Sequence, residues 1–323
     1  MPHLENRKTA PNWALLAGVR FALAGVVVLA HLREANGPMP FLVGSRPGFC
    51  AVAAFLVLSG FSIRHSLEEP QGFFRRRAER LIPAYIVAFV FAGLPWLLLG
   101  PAINTGAGVV EAPQGIRGAV AFLGAALMLN GLFGPIYGTI IPGWSLAFEV
   151  VYYALGPILR RFGQVVPVIS AGSALYFLWL SRSGYYDWVR SGWIGAAGLA
   201  CFWLLGWMIY EQRDDPRRVA TLSLAASGLS LASGNGSIWS VAVAALIPGA
   251  FLWQDQVKLP ARSQSLLNWL GDASYVVYVC HFGLFLCGRA WGLHWGLTVA
   301  GTLIVCTAVT FAERAYRHRS KRR

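Results

Sequence analysis

Apolar runs, most of them long enough to cross a bilayer, follow one another from residue 13 to residue 311 of this 323-residue chain. They cover residues 13–31, 48–63, 81–99, 118–133, 144–159, 164–181, 192–210, 219–233, 237–253, 267–287 and 291–311. A helix satisfies its own backbone hydrogen bonds, which hydrocarbon demands of any spanning segment. The pattern therefore predicts an all-α, polytopic transmembrane helix bundle. Charged residues make up 13% of the chain, against ~25% in soluble domains. No soluble domain of useful size fits between the runs, so residues 1–323 read as one membrane-embedded domain.

The basic residues orient the bundle. The chain carries 27 Lys and Arg against 14 Asp and Glu, a net charge of +13. These bases cluster in short loops, which points to topology rather than to nucleic acid. Membrane lipids are the expected partner of this charge. Arg64, Arg75, Arg76, Arg77 and Arg80 mark one cytoplasmic loop, and Arg314 to Arg323 mark a cytoplasmic tail. Arg160 and Arg161, and Arg213, Arg217 and Arg218, belong on the same side. Three apolar runs separate Arg80 from Arg160, yet a return to one side needs an even number of crossings. The segment 118–133 is short and leads into a stretch rich in helix breakers, 131–143, so it is expected to dip in and return. About ten spans remain, with both termini cytoplasmic. On this reading 20 bases face the cytoplasm and six (Arg33, Arg46, Arg117, Arg182, Arg190 and Arg289) face outward. The first run holds Arg20 and follows a polar N-terminus, as a retained span does and a cleavable signal peptide does not. The five cysteines lie in or beside apolar runs and read as small buried hydrophobes.

Ionisable residues inside such runs are costly and usually face a partner or a polar cavity. Arg20 is the most costly of them. His31 lies eleven residues on, about three helical turns and ~16 Å along the axis, on the same face. A paired structural arginine with an interfacial histidine is the plainer reading of that spacing. The segment Phe73–Tyr85 sets four arginines ahead of Pro83, which is read as opening a span. Guanidinium groups there suit phosphate, or serve as a lipid anchor. Glu149 lies one turn from Ser145 and one turn from Tyr152 and Tyr153, in a run that begins at Trp144, and Arg20 is its expected partner. Tyr275, Tyr278 and His281 step by three along a later span, where His281 is placed to meet His31 at a shared cavity. No HExxH, GxSxG, Walker loop or GxGxxG motif is present, and no metal site is expected.

Taken together and in order, Arg20-x10-His31, FFRRRAERLIPAY (73–85), WSLAFEVVYY (144–153) and SYVVYVCH (274–281) resemble acyltransferase family 3, the integral-membrane O-acyltransferases. That family includes O-antigen and nodulation-factor acetylases and macrolide acylases. The resemblance implies ten spans in a bacterial cytoplasmic membrane. It implies a cytoplasmic acyl-CoA donor, acetyl-CoA above all, and a carbohydrate or lipid-linked glycan acceptor beyond the membrane. It makes His31 the leading catalytic residue, with Arg20 and Glu149. It makes Arg77 and Arg80 donor-side residues, with Arg76 beside them expected to join, and Trp144, Ser145, Tyr152, Tyr275, Tyr278 and His281 are expected to face substrate. The chain departs from the family in being short and in carrying no C-terminal esterase-like domain. It also has Glu313-Arg-Ala315 where many members have a proline. His31 is suited either to deprotonate the acceptor hydroxyl or to take the acyl group itself. A transporter or flippase is the rival reading, but no matched pair of interrupted helices supports it.

Overall fold

The computed structural model describes residues 11–38, 47–100, 102–105, 108–112, 114–137, 140–182, 191–232, 237–254 and 256–320. The expected cytoplasmic bases Arg7, Lys8, Lys321, Arg322 and Arg323, and the expected outer bases Arg46 and Arg190, lie outside the described residues. Eleven α-helices form among the described residues. They are α1 (Trp13–Ala30), α2 (Pro47–Ser66), α3 (Phe73–Leu99), α4 (Gly115–Ala126), α5 (Gly143–Arg161), α6 (Val166–Arg182), α7 (Gly192–Glu211), α8 (Pro216–Ala232), α9 (Ile238–Leu252), α10 (Ala261–Ala290) and α11 (Trp295–Ser320). Seven of them (α1, α2, α3, α6, α7, α10 and α11) are long and apolar enough to cross a membrane. The chain is a polytopic helical membrane protein.

Side-chain contacts define the two ends of the bundle. Trp13 packs against His65, His65 Nδ1 lies 2.8 Å from the Tyr210 hydroxyl, and Asn12 donates to the carbonyls of Gln254 and Val257. The start of α1 and the ends of α2, α7 and α9 therefore gather at one end, with Arg64 and Arg213. We call this the basic end. At the other end His31 meets His281, Gly288 lies against Thr298, and Phe133 packs on Trp193.

Local sequence rules gave way to packing in three places. The arginine-rich segment is helix rather than loop, since α3 begins at Phe73 and runs through Pro83. Proline removes one backbone bond, but Arg and Glu are good helix formers, and Phe73, Leu81 and Ala84 are buried on either side of it. The expected 118–133 segment stops at Ala126, and Met128 adopts a φ of 59°. The twelve residues of α4 reach only ~18 Å, against a hydrocarbon core of ~30 Å. Finally, an antiparallel hairpin follows α3, with β1 (Ala102–Thr105) paired to β2 (Gly108–Glu111) so that Ala102 faces Glu111. Ile103, Val109 and Val110 favour strand, and glycines and prolines around them stop helix.

The α2–α7 crossing organises the centre. A Cβ at Gly60 would collide with the Trp203 carbonyl, and one at Gly206 with the Val57 carbonyl. Only glycine permits this backbone approach, the device by which membrane helices gain packing without a hydrophobic drive. Trp203, Trp207, Tyr210 and Phe61 fill the space around the crossing and are fully buried. By contrast α6 and α11 expose Leu175, Trp179, Ile304 and Phe311 on the surface, as lipid-facing helices do. All five cysteines are buried with free thiols.

Candidate active site

Five helices, α1, α2, α3, α5 and α10, converge on a cavity of about 80 Å³. Arg20 enters it from α1, Arg77 and Arg80 from α3, and Glu149 and Tyr153 from α5. Because α3 is helical from Phe73, Arg77 and Arg80 are i and i+3 on a firm element and present to one side. Arg20 donates to the Ser62 hydroxyl and to the Leu58 carbonyl at 3.4 Å, and Ser62 donates to that same carbonyl at 2.7 Å. Glu149 accepts from the Tyr153 hydroxyl at 2.9 Å. Arg20, the expected long-range partner of Glu149, has its hydrogen bonds to serine and carbonyl groups of α2 rather than to the carboxylate. Both side chains nevertheless line the same cavity.

Three guanidinium groups face one carboxylate here, an imbalance that favours a polyanionic visitor. Arg77 Nε is buried without a hydrogen-bond partner among the described residues. Buried donors seldom stay unsatisfied, and phosphate oxygens are strong acceptors for guanidinium. The remaining walls, Val52, Phe55, Leu56, Ile63, Leu81 and Leu146, are apolar. A phosphorylated donor with an uncharged arm fits this combination.

The cavity ends toward the opposite side of the bundle at Tyr278 and Ser145. Ser145 Oγ lies 3.0 Å from the Pro142 carbonyl and 2.6 Å from the Tyr278 hydroxyl. A carbonyl only accepts, so Ser145 donates to Pro142 and Tyr278 donates to Ser145. The Tyr278 ring also packs edge-on against Phe55. Tyr275 lines the cavity and donates to the Leu81 carbonyl at 3.2 Å. One turn beyond Tyr278, His281 Nε2 meets His31 Nδ1 at 3.0 Å.

Other expected site residues lie apart. Arg76 donates to the carbonyls of Ser66, Glu69 and Gln71 and closes the α2–α3 turn. Tyr152 donates to the Ala196 carbonyl at 2.6 Å and packs on Trp203, which ties α5 to α7. Trp144 is buried against Phe148. Conversely, Ser59, Ser62, Tyr153 and Ser274 line the cavity without having been expected there. The Ser59–Ser62 pair, i and i+3 inside an apolar run, carried the signal: two hydroxyls on one face of a span.

A bundle of membrane-spanning helices with a cationic cavity, and with a half-buried histidine bonded to a buried one, has the makings of an enzyme handling a charged substrate within the membrane. The family model for the acyltransferase 3 domain matches residues 14–312, and the chain belongs to that family of membrane acyltransferases. It is 27% identical to the exopolysaccharide production protein ExoZ of Rhizobium meliloti, over 92% of this chain and 96% of ExoZ. It is 29% identical to the acyltransferase MdmB of Streptomyces mycarofaciens, over 47% of this chain and 40% of MdmB. No solved structure matches it.

Proposed function

We propose that the protein moves an acetyl group from cytoplasmic acetyl-CoA to a hydroxyl of a glycan, free or lipid-linked, at the far face of a bacterial cytoplasmic membrane. The observation that carries this reading is the order of groups along the bundle, with His31 and His281 lying beyond the residues that line the cavity. Arg77, Arg80 and Arg20 come first from the basic end, then the Ser145–Tyr278 bond, then the His31–His281 pair. Arginines at the basic end suit the phosphates of coenzyme A, and the apolar walls suit its arm. Likeness to an exopolysaccharide production protein along nearly the whole chain supports a glycan acceptor.

In the chemistry we assign, His31 accepts the proton of the acceptor hydroxyl through its basic ring nitrogen. The hydroxyl oxygen then bonds to the thioester carbonyl carbon. As the C–S bond breaks, the sulfur leaves as thiolate and takes the proton from the imidazolium, so no further reactant is needed. Arg20 and Glu149 stand on the donor side, where Arg20 contributes positive charge. The reading includes ten spans, with the 118–133 region entering and returning, both termini cytoplasmic, and one acyltransferase domain over residues 1–323. It is tested by supplying labelled acetyl-CoA to membrane vesicles of known orientation with a polysaccharide acceptor. Label should pass to the acceptor only when donor meets the cytoplasmic face. Transfer that needs donor on the other face would overturn the assignment.

A further inference from the structure

His281 is fully buried on α10, and its own surroundings account for both of its ring nitrogens. Nδ1 lies 3.0 Å from the Val277 carbonyl and 3.0 Å from the Tyr278 carbonyl. Both oxygens can only accept, so Nδ1 carries the hydrogen. In a neutral imidazole the other nitrogen is then an acceptor. That nitrogen, Nε2, faces His31 Nδ1 at 3.0 Å. Two acceptors do not form a hydrogen bond, so His31 Nδ1 must carry its own hydrogen and donate it. The lone pair of neutral His31 is thereby assigned to Nε2. One tautomer is dictated by two backbone carbonyls, relayed through one ring to the next.

The rings around the pair hold this arrangement in place. Phe282 meets the His31 ring edge-on at 5.3 Å, and Phe285 meets the His281 ring edge-on at 5.7 Å. The geometry of His281 also differs from what a substrate-binding role requires. With Nδ1 given to the helix backbone and Nε2 given to His31, its two polar atoms are both committed inside the protein.

We infer that His281 is a positioning residue, which fixes the tautomer and orientation of His31 so that Nε2 of His31 is the nitrogen that receives the acceptor's proton. This rests on the reading of His31 as the base. A carboxylate in the same place would impose the same tautomer and add a full opposing charge to the imidazolium. A neutral imidazole supplies the hydrogen-bond acceptor and its dipole alone, without placing a second charge in the bundle.

The test compares two substitutions and one spectrum. In His281→Gln a side-chain carbonyl can still accept from His31 Nδ1, whereas in His281→Met no strong acceptor remains. Turnover per mole of folded, detergent-purified protein is expected to stay within about tenfold of the parent in His281→Gln. It is expected to fall further in His281→Met, toward the ~10⁴-fold loss that a wrong-tautomer histidine suffers in a serine-protease triad. The loss should lie in kcat, with KM for acetyl-CoA unchanged, because the arginine cavity is untouched. Equal turnover in the two variants would overturn the inference. Should either variant fail to fold, ¹⁵N-histidine spectra of the parent protein decide the matter, with the His31 signals assigned by their loss in His31→Ala. The hydrogen is expected on Nδ1 of His31, and finding it on Nε2 would overturn the inference. If His31→Ala retains near-full turnover, it is the reading of His31 as the base that fails, whatever the tautomer.

Discussion

Tyr278 donates its hydroxyl to Ser145 at 2.6 Å, and this single bond joins α10 to α5 at the head of the arginine-lined cavity. Its two partners are not equivalent. Ser145 has a second partner in the Pro142 carbonyl, whereas the Tyr278 hydroxyl bonds to Ser145 alone among the described residues.

This inequality orders the effects of removing each partner. Ser145→Ala leaves a buried phenol without its acceptor, at a cost of about 1–3 kcal/mol. Tyr278→Phe removes the donor and the need for it together, while Ser145 stays bonded to Pro142 and the ring stays on Phe55. Ser145→Ala is therefore expected to lower the melting temperature of the purified protein more than Tyr278→Phe. Adding Tyr278→Phe to Ser145→Ala should recover part of the loss. The reverse order would mean that Ser145 is not what satisfies the Tyr278 hydroxyl.

Donor recognition separates the arginines of α3. On the proposed function, Arg77→Ala and Arg80→Ala are each expected to remove a charge-assisted phosphate contact of about 1.5–3 kcal/mol, roughly 10–150-fold in KM for acetyl-CoA. Arg76→Ala should leave that KM unchanged, because Arg76 spends its guanidinium on the α2–α3 turn. Saturation kinetics on the three variants make the comparison. A common, small effect in all three would favour a lipid anchor over a donor site.

How much of this was legible in the residues depends on how far each feature reaches. Helical periodicity sets His281 one turn past Tyr278 and puts Arg20 and His31 on one expected face of α1, but not their partners: Arg20 bonds to α2 and His31, capping α1, to α10. Crossing parity singled out the 118–133 segment, the region that α4 occupies, as the one expected to dip in and return. The partner of Arg20 was not legible, since it depends on which neighbour lies beside α1. Ser62 of α2 is nearer to hand than Glu149 of α5, and two serines in an apolar run draw little notice. Pro83 reads locally as a helix start, and only burial on both sides of it reveals a continuous helix. That continuity is what aims Arg77 and Arg80 into the cavity and turns Arg76 away.

The α2–α7 crossing gives an expectation about stability alone. Gly60→Ala places a methyl group against the Trp203 carbonyl, where no flexible side chain can yield. Overpacking of this kind costs about 1–3 kcal/mol or more, so folded yield and melting temperature should both fall. Gly172→Ala on α6 is the control, because nothing lies within 4 Å of its added carbon. It should be neutral, or stabilising by roughly 0.5–1 kcal/mol through helix propensity. Equal behaviour of the two variants would mean that the helices do not cross so closely.

Topology is open to a direct check. Reporter fusions after Arg161 and after Arg218 should both report the cytoplasm, because α5 and α7 end where α2 ends and α8 begins near that same face. An outside signal at Arg161 would mean that the region around α4 crosses after all.

The catalytic assignment stands or falls with His31. It caps the C-terminal end of α1, its ring is held by His281 and Phe282, and its basic nitrogen is set by the hydrogen bond described above. A base so placed contributes roughly 10²–10⁴ in rate. His31→Ala should lose that factor in acyl transfer while the protein still inserts and still binds acetyl-CoA, since Arg20, Arg77 and Arg80 are left in place. His31→Gln should fare little better, because an amide keeps the shape of the ring but takes no proton at neutral pH. Donor binding is to be measured separately from transfer, with a non-reactive thioether analogue of acetyl-CoA, so that loss of fold is told apart from loss of chemistry. Retention of donor binding with transfer abolished is the expected result. Near-full turnover in His31→Ala would move the base elsewhere, and Glu149, the carboxylate that shares the cavity with the three arginines, would be the next group to substitute.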